Sequence, residues 1–355
     1  MKSVYIHIPF CENICSYCDF CKFFYNEKMV NQYLTELNKE IKNAYGNEII
    51  ETVYIGGGTP SSLNIEQLRT LFEMIKIIKT NNLEYTIECN IESITEEKLK
   101  LFKKYGVNRL SIGIQTFNEK NLKYLNRKHT KKEVFEKISL VKQYFDNINV
   151  DLIYAIPGET VDDLIKDLNN FIELDVSHIS TYSLIIEDHT ILKNNGFQNI
   201  EEEIDLRMYE IICDKLKDFE HYEISNFGKI KSRHNLTYWN NEEYYGFGLG
   251  ASGYVNNVRY DNTKSFNSYL KGNYRINEEY QTNKQKIENE FILGLRKIKG
   301  IDINLFNEKY KQNIKNINGV NKLISEKKLI LEGDCLFINS IYLYTSNDIL
   351  LNFID

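Results

Sequence analysis

Three cysteines near the start of the chain, Cys11, Cys15 and Cys18, follow one another at C-x3-C-x2-C spacing. They come directly after a short apolar run, residues 4–8, which Pro9 ends because a proline donates no backbone hydrogen bond. The loop can therefore place three thiolates around one compact group. A four-iron cluster with three protein ligands keeps one iron open, as redox chemistry on a bound cosubstrate requires. The spacing favours such an open [4Fe-4S] cluster.

Three alternatives remain open from the cysteines alone. Cys21 lies in the same loop and would complete a closed cluster of the ferredoxin type. A zinc site is the second alternative, but zinc sites usually combine two separated pairs of ligands, and no second Cys or Cys/His pair follows. Cysteines without a ligand are the third alternative, and their clustering on a single loop argues against it.

The size and composition of the chain limit its class. With 355 residues, it is long enough for two domains or for one barrel-sized domain with an appendage. Its 44 basic and 50 acidic residues give a net charge of −6, which does not indicate nucleic-acid binding. We expect no membrane span and no secretory signal. Seven cysteines, concentrated at one end, suit a reducing cytoplasm better than a disulfide framework.

Short β-branched runs alternate with helical patterns in the first half of the chain. The predicted strands are residues 4–8, 52–55, 85–89, 109–114, 149–153 and 179–184. The predicted helices between them are residues 28–45, 65–78, 95–105, 131–145 and 161–174. Capping boxes beginning at Ser93 and Thr130 predict two of the helix starts. Six βα units favour a parallel sheet covered by helices and curled into a barrel that does not close.

Polar residues lie at the ends of these predicted strands. In a parallel sheet of this kind, the active site lies at the carboxyl ends of the strands. The second strand runs into GGGTP at residues 56–60, whose glycines would expose backbone N–H groups to an anion, or simply form a tight turn. Glu88, Gln115 and Asp151 lie near the ends of the next three strands. A single acid there is often only a helix cap, but several at one rim favour a ligand site.

Seven motifs resemble the oxygen-independent coproporphyrinogen III oxidase group of radical S-adenosylmethionine (SAM) proteins. Those in the predicted barrel are YIHIPFC at 5–11, GGGTP at 56–60, RLSIGIQ at 109–115 and DLIYAIPG at 151–158. Those that follow it, and that are similar to the heme-chaperone branch of the group, are YEISNF at 222–227, RHNLTYW at 233–239 and EFILGLR at 290–296. The resemblance covers nearly the whole chain.

The resemblance implies a fold and a division into domains. We expect an α/β protein with an incomplete (β/α)6 radical SAM barrel, a C-terminal α+β extension and a small winged-helix-like cap. The expected domains are residues 1–190 for the barrel with its cluster loop, 191–285 for the extension and 286–355 for the cap. Within the cap, helical patterns and a hairpin pattern occupy residues 303–310, 320–327 and 329–339.

The resemblance also implies the cofactor-binding residues. Cys11, Cys15 and Cys18 would ligate the [4Fe-4S] cluster, whose open iron would take the amino and carboxylate groups of SAM. The residues expected to bind SAM are Tyr5, Tyr17, Gly57, Gly58, Thr59, Glu88, Gln115, Arg127 and Asp151. No catalytic residue is implied. Cys21 departs from the oxidases, which place an extra cysteine two residues after the third ligand, so it is either an incidental thiol or a protective ligand when SAM is absent.

Two functions follow from the resemblance. The first is a heme chaperone that binds the cluster, SAM and heme and delivers heme to an acceptor protein; the RHNLTYW motif and the ten residues before Cys11 favour it. The second is an oxidase that decarboxylates coproporphyrinogen III to protoporphyrinogen IX, and such enzymes carry a longer arm ahead of the cysteine loop. The expected partners are heme or a porphyrin and a heme-accepting protein in the cytoplasm, with no nucleic acid. Peripheral membrane contact and a homodimer are compatible with the sequence.

Few residues are candidates for contact with heme. His234 would be an iron ligand and Arg233 a propionate partner, although a buried, hydrogen-bonded histidine is the alternative. His7 lies beside the cluster loop. The tyrosines from Tyr238 to Tyr269 would form a floor for a flat ring, although such clusters more often belong to the core.

Overall fold

A twelve-stranded sheet is the framework of the computed structural model, which describes residues 3–354. The strands of the described chain are β1 (Ser3–Ile8), β2 (Phe10–Cys11), β3 (Phe23–Phe24), β4 (Ile50–Gly57), β5 (Thr80–Asn90), β6 (Arg109–Gln115), β7 (Asn147–Tyr154), β8 (His178–Ser183), β9 (Glu220–Glu223), β10 (Asn226–Gly228), β11 (Tyr244–Phe247), β12 (Ser252–Val255), β13 (Val258–Asn262), β14 (Arg275–Tyr280), β15 (Ile301–Asp302), β16 (Leu329–Glu332) and β17 (Cys335–Ile338). The large sheet has the order β14-β13-β12-β11-β1-β4-β5-β6-β7-β8-β10-β9, so it stays open.

Helices follow the parallel strands and cover the sheet. They are α1 (Glu27–Ala44), α2 (Ile65–Ile75), α3 (Glu96–Lys104), α4 (Glu119–Tyr124), α5 (Lys131–Lys142), α6 (Val161–Glu173), α7 (Ile191–Asn194), α8 (Glu202–Lys215), α9 (Arg233–Trp239), α10 (Phe266–Tyr269), α11 (Asn283–Gly294), α12 (Ile303–Tyr310), α13 (Val320–Ser325) and α14 (Ser346–Leu350). In α1 the buried residues Val30, Tyr33, Leu37 and Ile41 recur at helical spacing and form the stripe that packs on the core.

The six predicted parallel strands are confirmed as β1, β4, β5, β6, β7 and β8. All seven residues of β6 are buried, because a central parallel strand is covered on both faces. The prediction missed a seventh parallel strand: β11, from the extension, pairs with β1 in the register Ser3 with Tyr244. The extension also adds β12–β14 beyond β11 and the antiparallel β10 and β9 beyond β8. The incomplete barrel is therefore widened at both edges.

The two predicted capping boxes have different outcomes. Thr130 caps α5 and exchanges hydrogen bonds with Glu133, as predicted. The box at Ser93 is wrong: Thr95 caps α3 and accepts from the amide of Lys98. Ser93 instead ends a short 3-10 turn and donates its hydroxyl to the carbonyl of Asn90, so it is not free to cap a helix.

The C-terminal cap has the predicted helices and hairpin. α12 and α13 precede β16 and β17, which turn at Gly333 with φ +55°, and β15 adds a third strand. The ring of Phe291 on α11 stacks on that of Phe353 at 4.1 Å, so the first helix of the cap packs against the last residues of the described chain. Within residues 3–354, no helix has the length and apolar character needed to cross a membrane.

Candidate functional site

A cavity of about 520 Å³ lies inside the parallel sheet and opens at the carboxyl ends of its strands. The loop after β1, the end of β4 and the loop after β8 form its mouth, and the interior reaches down to Arg109, the first residue of β6. Every residue expected to bind the cluster or SAM lines this cavity except Tyr5.

The three cysteines expected to hold the cluster, Cys11, Cys15 and Cys18, lie together at the mouth. The hydroxyl of Thr59 lies 3.6 Å from Sγ of Cys11. Nη1 of Arg127 lies 3.6 Å from Sγ of Cys15. Donors beside sulfur stabilise the thiolate, which is the form of cysteine that binds iron.

This arrangement suits a cluster better than a single ion. Among residues 3–354, no group of three or more His, Cys, Asp or Glu side chains could hold one metal ion. Zinc needs its ligands around one point, whereas a cluster binds each thiolate through a different iron. Burial raises the pKa of the Cys11 thiol to about 11, and the neighbouring Cys18 and Cys15 also raise it. A cationic metal group bound there would keep this thiolate ionised.

Cys21 stands apart from the other three cysteines of the loop. It does not line the cavity, and it faces Gly250 of the extension. Its carbonyl oxygen accepts a hydrogen bond from Nε2 of His7 at 2.8 Å. Nδ1 of His7 in turn lies 2.9 Å from the hydroxyl of Tyr5, so Tyr5 supports the loop from behind the cavity.

The glycine run at the end of β4 serves close packing and does not present free donors. The amide of Gly57 donates to Glu88 at 3.0 Å, that of Gly58 to the carbonyl of Ile8 at 2.9 Å, and that of Thr59 to the carbonyl of Phe10 at 2.9 Å. The expectation that these N–H groups donate to an anionic ligand is therefore wrong, because all three already have acceptors within the protein. A Cβ on Gly58 would lie 2.9 Å from Sγ of Cys11, which explains why glycine stands there.

Two acids face the interior of the cavity. Glu88 accepts from the hydroxyl of Tyr54 at 2.8 Å and from the amide of Gly57, and burial raises its pKa to about 7. Asp151 accepts from Nδ2 of Asn149 at 2.8 Å, and burial raises its pKa to about 6. At neutral pH the cavity therefore holds at least one carboxylate suited to hydroxyl and ammonium donors.

The remaining expected SAM residues lie around the rim. Arg127 is fixed there because Nη1 donates to Oδ1 of Asn90 at 3.0 Å and Nη2 to the carbonyl of Gly113 at 2.5 Å. Gln115 ends β6 with φ +74°, which turns its side chain into the cavity lining. Tyr17 packs beside the apolar cluster around Leu125.

Several lining residues were missed by the sequence analysis. They occupy alternate positions of single strands: Arg109, Ser111 and Gly113 on β6, Asn149 on β7, and Ser180 and Tyr182 on β8. Because side chains of a strand alternate between its faces, counting in twos back from Gln115 and Asp151 would have found most of them.

The residues suggested for heme are already engaged within the protein. Nδ1 of His234 lies 2.7 Å from Oγ1 of Thr52, and Nε2 lies 2.8 Å from the hydroxyl of Tyr238. Burial lowers the pKa of His234 to about 3. Nη1 of Arg233 donates to the carbonyl of Asn82 at 2.6 Å. The tyrosines of this region that are buried in the core are Tyr245, Tyr254, Tyr260 and Tyr269, so together they form no open floor.

Comparisons with known proteins agree with this architecture. A family model of the radical SAM superfamily matches residues 5–171. Heme chaperone HemW of Lactococcus lactis subsp. lactis (strain IL1403) is 41% identical over 344 residues, which cover 92% of this chain and 90% of that protein. Heme chaperone HemW of Bacillus subtilis (strain 168) is 42% identical over 352 residues, 93% of either chain.

Among solved structures, the coproporphyrinogen III oxidase HemN from Escherichia coli matches with a TM-score of 0.87. The match covers 99% of this chain and 89% of that chain at 19% identity, so it shows a shared fold alone. The close relatives decide the family: the chain belongs to the HemW family of the radical SAM superfamily.

Proposed function

We propose that this protein is a heme chaperone, which binds a [4Fe-4S] cluster, SAM and heme and delivers heme to acceptor proteins in the cytoplasm. The observation that carries the proposal is the identity of 41–42% to two proteins named heme chaperone HemW, over nine tenths of the chain. That similarity runs through the extension as well as the barrel. It therefore supports more than a shared SAM-binding unit.

In this proposal Cys11, Cys15 and Cys18 hold the cluster at the mouth of the cavity. When bound, the cluster supplies an electron for reductive chemistry on the SAM sulfonium. Thr59 and Arg127 stabilise two of the thiolates by donating to sulfur. Because Arg127 is also fixed by backbone and side-chain acceptors, it holds its cysteine in one orientation.

SAM would lie along the strand ends beside the two acids. Its ammonium and ribose hydroxyls are donors, and the carboxylates of Glu88 and Asp151 are acceptors open to the cavity. These acids also favour a cationic sulfonium electrostatically. The protein's own contribution is thus binding and orientation, with charges fixed before the cofactor arrives.

The charge of the cavity favours the chaperone over the oxidase. Coproporphyrinogen III bears four carboxylates, and an oxidase must hold them with cations so that one propionate faces the radical. The charged residues of the described chain that line the cavity are the bases Lys22, Arg109 and Arg127 and the acids Asp19, Glu88, Asp151 and Glu187. A tetracarboxylate placed among them would meet more acids than bases, and misplacement by about an ångström can reduce a rate about a hundredfold.

The test is one anaerobic preparation of reconstituted protein assayed in two ways. Titration with heme should shift the Soret band to a defined stoichiometry, and bound heme should pass to an apo-heme protein. Incubation with SAM, a strong reductant and coproporphyrinogen III should give no protoporphyrinogen and no carbon dioxide. Multiple-turnover product formation would support the oxidase instead, and an unshifted Soret band would contradict the chaperone.

A further inference from the structure

Arg109 occupies the floor of the cavity, beneath the residues expected to bind SAM. Its side chain is only 2% exposed, and it ranks first by volume among the fully buried side chains. Nε has no hydrogen-bond partner, and no ion pair to the guanidinium is formed anywhere in residues 3–354. A buried cation without a contacting counter-charge is costly, so its presence calls for a compensating role.

Two acids share this interior without touching Arg109. Glu88 on β5 is bonded to Tyr54 and Gly57, and Asp151 on β7 is bonded to Asn149. Burial raises the pKa of either acid, and the charge of Arg109 acts in the opposite direction on both. Because an interior screens charge weakly, a cation can act on carboxylates without contacting them.

No other group at the floor can supply this positive charge. The titratable side chains that interact electrostatically with Arg109 or with the two acids are Tyr5 on β1, Tyr54 on β4, Cys89 on β5, His178 and Tyr182 on β8, Tyr222 on β9, and His234 and Tyr238 on α9. Burial lowers the pKa of both histidines, so they are neutral at pH 7. Arg127 is a second cation that acts on Asp151, but it is bound at the rim, next to Cys15.

We propose that Arg109 is a positioning residue that acts through space: it keeps the carboxylates of Glu88 and Asp151 ionised and so sets the pH range in which the cavity binds SAM. A direct salt bridge would occupy the carboxylate oxygens. A cation held apart preserves their charge and leaves the oxygens free to accept from the cofactor. The inference rests on the proposed function, because it requires SAM to bind beside these acids.

The sign of the expected effect follows from the acids. SAM affinity of the native protein should fall as the pH drops through 7 and then 6, where Glu88 and Asp151 take up protons. Arg109→Gln removes the cation, so both carboxyl groups protonate at higher pH. If the midpoint of this protonation rises by one pH unit, the affinity for SAM at neutral pH falls by up to about tenfold. Raising the pH restores the affinity. Arg109→Lys keeps the charge and should keep the native midpoint.

The experiment is calorimetric titration of the cluster-reconstituted protein with SAM between about pH 5.5 and about pH 8.5. The proposal predicts an upward shift of the midpoint in R109Q and none in R109K. An equal loss of affinity at every pH, or no change, would show that Arg109 only packs and would overturn the inference. Absence of SAM binding by the native protein would instead contradict the proposed function.

A second set of variants keeps the test decisive if R109Q does not fold. In E88Q/D151N the arginine loses both counter-charges, so adding R109Q should raise the melting temperature of that double variant. The expected result is a triple variant that folds and is more stable than the double one. A triple variant that is less stable than E88Q/D151N would refute the electrostatic role.

Discussion

Gly250 packs directly against Cys21, so that a Cβ on Gly250 would lie 2.7 Å from Cβ of Cys21. Gly250 also has φ +74°, a left-handed conformation that favours glycine. Its amide donates to the carbonyl of Thr263 at 2.9 Å, which fixes it in the extension. The extension therefore packs against the cysteine loop at Cys21.

Gly250→Ala should loosen this contact and destabilise the loop. Gly106 is a matched control, because its φ is +85° but a Cβ there would meet nothing within 4 Å. Gly106→Ala should lower the free energy of unfolding by about 1 kcal/mol through backbone strain alone. Gly250→Ala should lower it by about 1–3 kcal/mol more, since Cys21 must move. Urea denaturation and iron retention measure the difference, and equal losses would show that the Cys21 contact is unimportant.

We expect three of the four cysteines of the loop to bind the cluster and the fourth, Cys21, not to bind it. Cys11→Ala, Cys15→Ala and Cys18→Ala should each lose the cluster, whereas Cys21→Ala should keep it, because Cys21 does not line the cavity. Iron, sulfide and visible charge-transfer absorption after anaerobic reconstitution report the outcome. Loss of the cluster in Cys21→Ala, with SAM no longer perturbing the spectrum, would indicate a closed four-thiolate site.

Asp151→Ala should weaken SAM binding without removing the cluster. A lost charge-assisted hydrogen bond corresponds to about 1.5–3 kcal/mol of binding free energy. Asp167→Asn is the control: Asp167 is a buried acid bonded to Thr116 and Phe117, and it lies outside the cavity lining. It should lower stability and leave SAM affinity intact. Titration calorimetry decides, and unchanged affinity in Asp151→Ala removes that residue from the site.

His234 should make the fold less stable in acid. Burial lowers its folded pKa from 6.5 to about 3, so the unfolded chain binds more protons between these values. Stability should therefore fall as the pH drops below about 6.5, by up to about 1.4 kcal/mol per unit from this group. His234→Gln does not titrate there. In urea denaturation the stability advantage of the native protein over the variant should thus begin to shrink as the pH falls from about 7.5 to about 5.5, and a constant difference would show that His234 does not titrate.

The barrel could be predicted from sequence because each of its units is encoded locally. A β-branched run such as that before Gly57 and a helical stripe such as that containing Tyr33 lie within short windows. The residues of the rim could be predicted equally well, because parallel strands bring residues such as Glu88 and Asp151 to the same end of the sheet. The sequence therefore predicted the three cysteines and the polar residues at the strand ends, but not the loop after β8 that completes the mouth.

Long-range relationships were beyond the sequence patterns. Nothing local indicates that Tyr244 pairs with Ser3, because strand pairing between distant segments depends on the assembled sheet. The donors of the glycine run were misjudged for the same reason: the acceptor of the Gly57 amide is Glu88, on a different strand. Arg109 begins the RLSIGIQ motif, but its place on the cavity floor depends on neighbours from other strands that the sequence does not identify.

The pairing of β1 with β11 has a consequence for biosynthesis. A ribosome releases the chain from its N-terminus, so the strand that leads into the cysteine loop emerges before its neighbour β11, which follows about 240 residues later. Until then one edge of β1 remains unpaired, and such an edge invites association with other chains. Iron delivered to the nascent cysteine loop would meet an unfinished sheet. The sheet around the cysteine loop is therefore completed only after the extension has left the ribosome.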